Sequence, residues 1–87
     1  MTKIEKEIII MNPQGLHARP AALFVQIASR FNAKINVKKD GEKVNGKSIM
    51  GILMLAAQSK SKITIEADGD DAQQAIDELT AFLSKHE

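Results

Sequence analysis

The sequence contains no cysteine. That removes disulfides, thiolate metal sites and cysteine nucleophiles together, and with them a secreted fold that depends on disulfide staples. Aromatic residues are nearly absent, with three phenylalanines and neither tryptophan nor tyrosine. The exposed rings on which RNA-binding sheets stack bases therefore have little to be made from. An excess of one charge is lacking too: 12 Lys and Arg against 11 Asp and Glu leave +1, whereas broad nucleic-acid binding draws its affinity from a basic surplus. No apolar run approaches the ~20 residues that span a bilayer. The first residues interleave Lys3, Glu5, Lys6 and Glu7 with isoleucine, unlike a secretory leader. A cytoplasmic protein is expected, with no membrane insertion and no nucleic acid.

What is present is 87 residues, 44% of them apolar, enough for one domain (1–87) and no second core. Ile4, Ile8 and Ile10 share one face of a predicted strand, with Glu5 and Glu7 opposite. Asn12-Pro13-Gln14-Gly15 reads as a loop. Leu23, Phe24, Ile27, Ala28 and Phe31 then recur at helical spacing, and Pro20 is compatible with the first turn of that helix. Ala33, Ile35 and Val37 alternate with polar residues as a second strand. Asp40-Gly41 is a hairpin signal returning through Glu42 to Val44. Ser48 is placed to cap a helix over about residues 49–55. Residues 57–60 read as a polar connection, and Ile63, Ile65 and Ala67 as a fourth strand. In the last helix Asp70 is the expected cap, with Gln73 completing a capping box, ahead of an apolar stripe through Ala72, Ala75, Ile76, Leu79, Phe82 and Leu83. The order βαββαβα fits a two-layer α+β domain, a four-stranded antiparallel sheet with three helices on one face.

His17 falls where the glycine-containing loop meets the first helix. A helix start offers unpaired amides and a partial positive charge, both favouring an anion. Arg19 adds a permanent cation with donors suited to phosphate oxygens. An imidazole near neutral pH is partly unprotonated and nucleophilic, so a phosphoryl group could be accepted there. The helix-end contribution is about 0.3–1 kcal/mol, a modest bias that suits a group meant to be passed on. By spacing alone, however, a histidine at a helix start is more often a cap or a surface residue. His86, the other histidine, is no partner for a triad.

The octapeptide Gly15-Leu16-His17-Ala18-Arg19-Pro20-Ala21-Ala22 resembles the active-site signature of the HPr family, the histidine-containing phosphocarriers of the bacterial phosphoenolpyruvate-dependent sugar phosphotransferase system. Length and element order match that family across essentially the whole chain. The resemblance implies an open-faced β-sandwich and a stoichiometric carrier rather than an enzyme, with no cofactor. It implies that His17 takes a phosphoryl group from enzyme I on Nδ1, steadied by Arg19 and the first-turn amides, and gives it to IIA domains of sugar permeases. Some members also place a C-terminal carboxylate near the site, a role to which Glu87 does not align clearly.

Asn45-Gly46-Lys47-Ser48-Ile49-Met50-Gly51 is the second informative stretch. The helix that follows is apolar nearly all round, so part of it should face solvent as an adaptable partner surface. Ile49, Met50 and Leu53, with Ala22 on the first helix, are the expected contacts. On physical grounds Ser48 is an N-cap. The stretch also resembles the regulatory serine segment of some HPr proteins, which implies phosphorylation by an ATP-dependent HPr kinase/phosphorylase and, among partners, a transcriptional regulator. Gly46 departs from the larger apolar residue common there. A regulatory paralogue that signals by docking is the main competitor, but such paralogues can lack the histidine that this chain keeps. A nitrogen-related phosphotransferase branch would also keep it, while the Ser48 segment leans toward the sugar system. A small RNA-binding domain or a cysteine-ligated metal carrier finds no support in these residues. A monomer is expected.

Overall fold

The computed structural model describes residues 2–85. Met1, His86 and Glu87 lie outside them, and with them the C-terminal carboxylate considered above. The elements are β1 (Lys3–Ile9), α1 (Ala18–Ala28), β2 (Lys34–Lys39), β3 (Glu42–Asn45), α2 (Ile49–Leu55), β4 (Lys62–Asp68) and α3 (Ala72–Leu83). The strands form one antiparallel sheet in the order β1-β4-β2-β3, so the expected α+β order is found.

Alternation decides which side of the sheet is covered. Ile63, Ile65 and Ala67 on β4 pair with Ile8, Val37 and Ile35 across the ladders. All six are buried, together with Phe24 and Ala28 of α1, Ile52 of α2 and Ile76, Leu79 and Leu83 of α3. Burying one such side chain stabilises by about 1.5–3 kcal/mol, so three helical stripes meeting one strand face suffice to choose this arrangement. The Asp40-Gly41 hairpin has positive φ at both positions (51° and 85°), which is what joins two right-twisted strands most tightly.

The opposite face of the sheet carries charge. Glu66, on the central strand β4, is only 4% exposed. Its carboxylate lies 3.3 Å from Lys3, 3.4 Å from Lys38 and 3.2 Å from Lys43, and accepts a hydrogen bond from Asn36 Nδ2 at 3.2 Å. Burial by itself would push the Glu66 carboxyl up; the Asn36 amide and the lysine ammoniums outweigh it and hold the group well below the usual carboxylate range.

Two sequence expectations are corrected. The last helix is capped by Asp71, not Asp70, and by position only: its side chain bonds no amide of α3. Its two carboxylate oxygens instead accept from the Asn32 and Ala33 N–H groups, each at 2.8 Å. A turn with two unpaired amides is a better partner for a carboxylate than a single helix amide. Gln73 donates to Asp77 at 2.8 Å rather than completing a capping box. Residues 57–60 are also more than a polar connection. Ala57 is buried, its carbonyl accepts from Leu16 N–H at 2.8 Å, and Lys60 N–H donates to the Ile10 carbonyl at 2.7 Å. This segment is the wall against which the β1–α1 loop is built.

Candidate functional site

The β1–α1 loop is held from several sides. Met11 N–H donates to the Leu83 carbonyl at the end of α3 (2.9 Å), and Ile10 N–H donates to the Ser61 carbonyl (3.0 Å). Gly15 has φ +63°, and a Cβ placed there would come within 2.7 Å of the Ala57 carbonyl oxygen. Glycine is therefore needed both for the left-handed backbone and for the close approach. Leu16 is buried beside it. The loop then delivers His17, whose side chain is exposed.

His17 is the N-cap of α1, with extended backbone (φ −81°, ψ −167°) and no hydrogen bond from its side chain to the helix. Its carbonyl accepts from Ala21 N–H at 2.8 Å. Pro20, the third helical residue, has no N–H to offer. The amides left within the first turn to meet an anion are those of Ala18 and Arg19. Arg19 is exposed two residues from His17. It lines an open groove of about 330 Å³ with Asn12, Gln14, Pro20, Leu23, Phe82 and Lys85. The chemistry available at one end of α1 is thus an accessible nucleophilic ring, two outward amides and a guanidinium.

Ser48 lies at the start of α2, where its Oγ accepts from Gly51 N–H at 3.0 Å; the expected cap is found. Gly46 explains its own departure from the larger residue: a Cβ would come within 2.6 Å of Ile35 Cγ2, so the β3–α2 turn closes tightly over β2. Of the expected contact residues, Ile49, Met50 (64%) and Leu53 are exposed, and Ala22 is half-buried. Met54 (73%) and Leu23 (42%) are exposed as well. Leu23 belongs to the apolar series at helical spacing that marks α1, but the structure leaves it outside the core. It stands four residues after Arg19, on the same side of the helix, and that spacing was the signal available to find it. The helices α1 and α2 pack on each other. Among the described residues, no three His, Asp or Glu side chains converge as metal ligands.

The family model described as the PTS HPr component phosphorylation site matches residues 4–85. The chain belongs to the HPr family. It is 51% identical over 82 residues to the HPr-like protein Crh of Halalkalibacterium halodurans, covering 94% of this chain and 98% of that one. The crystal structure of the phosphocarrier protein HPr from Bacillus anthracis superposes with a TM-score of 0.92 at 48% identity, over 95% of this chain and 99% of the other. Crh of Bacillus subtilis, described as a swapped, intertwined dimer, gives a TM-score of 0.77 at 42% identity over 95% of each chain. An HPr-type chain thus has both phosphocarriers and HPr-like regulatory proteins among its relatives. The fold expectation is met, and membership supports a phosphocarrier role in general. Among the described residues no helix is long and apolar enough to cross a membrane.

Proposed function

We propose that this HPr-family chain is a stoichiometric cytoplasmic phosphocarrier, not an enzyme, accepting a phosphoryl group from phospho-enzyme I on His17 and donating it to IIA domains of sugar permeases. The observation that carries the reading is the arrangement at the start of α1: an exposed His17 ring beside the Ala18 and Arg19 amides and the Arg19 guanidinium. The unprotonated ring nitrogen, Nδ1 by family analogy, forms the N–P bond as the bond to the donor breaks, and the same exchange in reverse reaches the acceptor. The amides and Arg19 meet the phosphoryl oxygens with a field worth about 0.3–1 kcal/mol at the helix end. Binding this shallow supports transfer in both directions.

The exposed Ile49, Met50, Leu53, Met54 and Leu23 side chains, with the half-buried Ala22, supply the docking surface. Ser48 is the regulatory residue: HPr kinase/phosphorylase would add about −1.5 to −2 charges there, beside apolar side chains that a partner must desolvate. A transcriptional regulator that reads the phosphoserine is the further partner implied. The second reading is a regulatory protein that acts by docking alone, favoured by the 51% identity to an HPr-like Crh protein. The chain is expected to work as a monomer, with the swapped dimer of the B. subtilis relative as the alternative that size-exclusion chromatography decides.

Incubation with phosphoenolpyruvate and enzyme I, followed by intact mass measurement, tests the carrier. One acid-labile phosphate is expected, absent from His17→Ala. A wild-type protein that stays unmodified overturns the carrier and leaves the docking reading. A parallel incubation with ATP and HPr kinase is expected to add one acid-stable phosphate, lost in Ser48→Ala; no such phosphate removes the regulatory assignment.

A further inference from the structure

The His17 side chain makes no hydrogen bond to its helix, so its direction is inherited from the backbone that delivers it. That backbone is governed by Asn12. Asn12 is 7% exposed and, with Glu66, is one of the two buried polar or charged residues among those described. Both ends of its carboxamide are used. Nδ2 donates to the Gly15 carbonyl at 3.1 Å, and Oδ1 accepts from Gln14 N–H at 2.7 Å. Its own carbonyl accepts from Gly15 N–H at 3.1 Å. The peptide joining Gly15 to Leu16 is therefore gripped at both polar atoms, its carbonyl by Asn12 and its N–H by the Ala57 carbonyl at 2.8 Å. The next peptide carries His17.

We infer that Asn12 is a positioning residue for phosphoryl transfer, acting through the Gly15–Leu16 peptide to aim the His17 ring alongside the Ala18 and Arg19 amides; the inference rests on the carrier reading. Asn12 touches no reacting atom. Its requirement is for a side chain that donates and accepts at once. A carboxylate has acceptors only, so Asn12→Asp keeps the bond from Gln14 and turns its other oxygen on the Gly15 carbonyl, acceptor against acceptor. Asn12→Ala removes both bonds. Each change frees the peptide that sets the ring, while the core and the exposed helical surface stay as they are.

Single-turnover transfer from phospho-enzyme I, followed by intact mass well below each variant's melting temperature, tests this. Asn12→Asp and Asn12→Ala are expected to slow the transfer step about 10- to 100-fold, the scale of a small misplacement of reacting groups, with the concentration dependence for phospho-enzyme I unchanged. The control is Ile76→Val in the α3 core stripe, which lowers the melting temperature and is expected to transfer at the wild-type rate. A purely structural Asn12 would behave like the control, and wild-type transfer in both Asn12 variants overturns the inference. Should Asn12→Ala not fold, Asn12→Asp, which keeps the Gln14 bond, carries the test. A second readout needs no enzyme I: nuclear Overhauser contacts from the His17 ring to the Ala18 and Arg19 amide protons are expected to weaken or scatter in both variants, and unchanged contacts count against the inference. If the wild type takes no phosphate at all, the carrier reading fails, and this second readout still decides whether Asn12 aims the ring.

Discussion

Two helices of this protein begin on residues in the same formal position, and the two caps are opposites. Ser48 turns its hydroxyl inward to the Gly51 amide and closes the start of α2. His17 leaves the start of α1 open, with no bond from its ring to the helix. A closed cap stabilises its helix and is locally complete. An open one leaves donors in place for something that arrives from outside. The loop that carries the open cap is held by Asn12, Gly15 and Ala57 rather than by the His17 side chain itself. A position that looks the same by sequence rule is closed by its own side chain in one case and left open in the other, and it is the open one to which the carrier reading assigns the chemistry.

The sharpest way to break this comparison is to truncate the open cap. His17→Ala should abolish phosphate acceptance in the mass assay while shifting folding stability by no more than about 0.5 kcal/mol, since no intramolecular bond is lost. Next in size is the support beneath it. Gly15→Ala should cost about 3 kcal/mol in urea denaturation, from the left-handed backbone and the 2.7 Å approach to the Ala57 oxygen together. Truncating the closed cap should do less: Ser48→Ala is expected to lose about 1 kcal/mol, and Ser48→Asp, which keeps an acceptor for the Gly51 amide, clearly less than that. A Ser48→Ala protein as stable as wild type would erase the contrast.

The third helix sharpens the comparison through pH. Asp71 caps α3 in position only, and its carboxyl lies below the usual range because of the Asn32 amide, helped by that of Ala33. A carboxyl lowered in the folded state contributes stability that is present above its unfolded pKa and is lost as pH falls through the folded one. The difference in melting temperature between wild type and Asp71→Asn should therefore be widest at neutral pH and close as the solution becomes acid. A gap independent of pH would mean that the charge is not what matters there.

These features differ in how far they could be read from the sequence. Ser48, Asp40-Gly41 and the helix that starts after His17 are local, set by residues within a turn of one another, and they were legible. The sequence points to Asp70 as the cap of α3, and the task of Asp71 is not legible there because its partners lie 38 and 39 residues away. The grip of Ala57 on Leu16 was invisible for the same reason: a polar-looking connection gives no sign of which distant amide its carbonyl will meet. The exposure of Leu23 was not legible because a helical stripe of five apolar residues is wider than the core it meets, and only packing shows which edge is left out. Glu66 gave no signal at all, since an alternating acidic residue on a strand looks solvated until the lysines of three other chain segments close over it. The placing of His17 and Arg19 together at the start of α1 was legible. How the loop holds His17 was not.

The ion-paired side of the sheet also gives the molecule a front and a back. Any partner stacking on that side would have to strip water from Lys3, Lys38 and Lys43 and disturb their shared grip on Glu66, a desolvation cost with little apolar return beyond Ile9. The helical side asks for no such sacrifice. In the proposed carrier, a visiting protein therefore has less to lose by settling on the helical side, the side that carries His17 and the exposed side chains of α2.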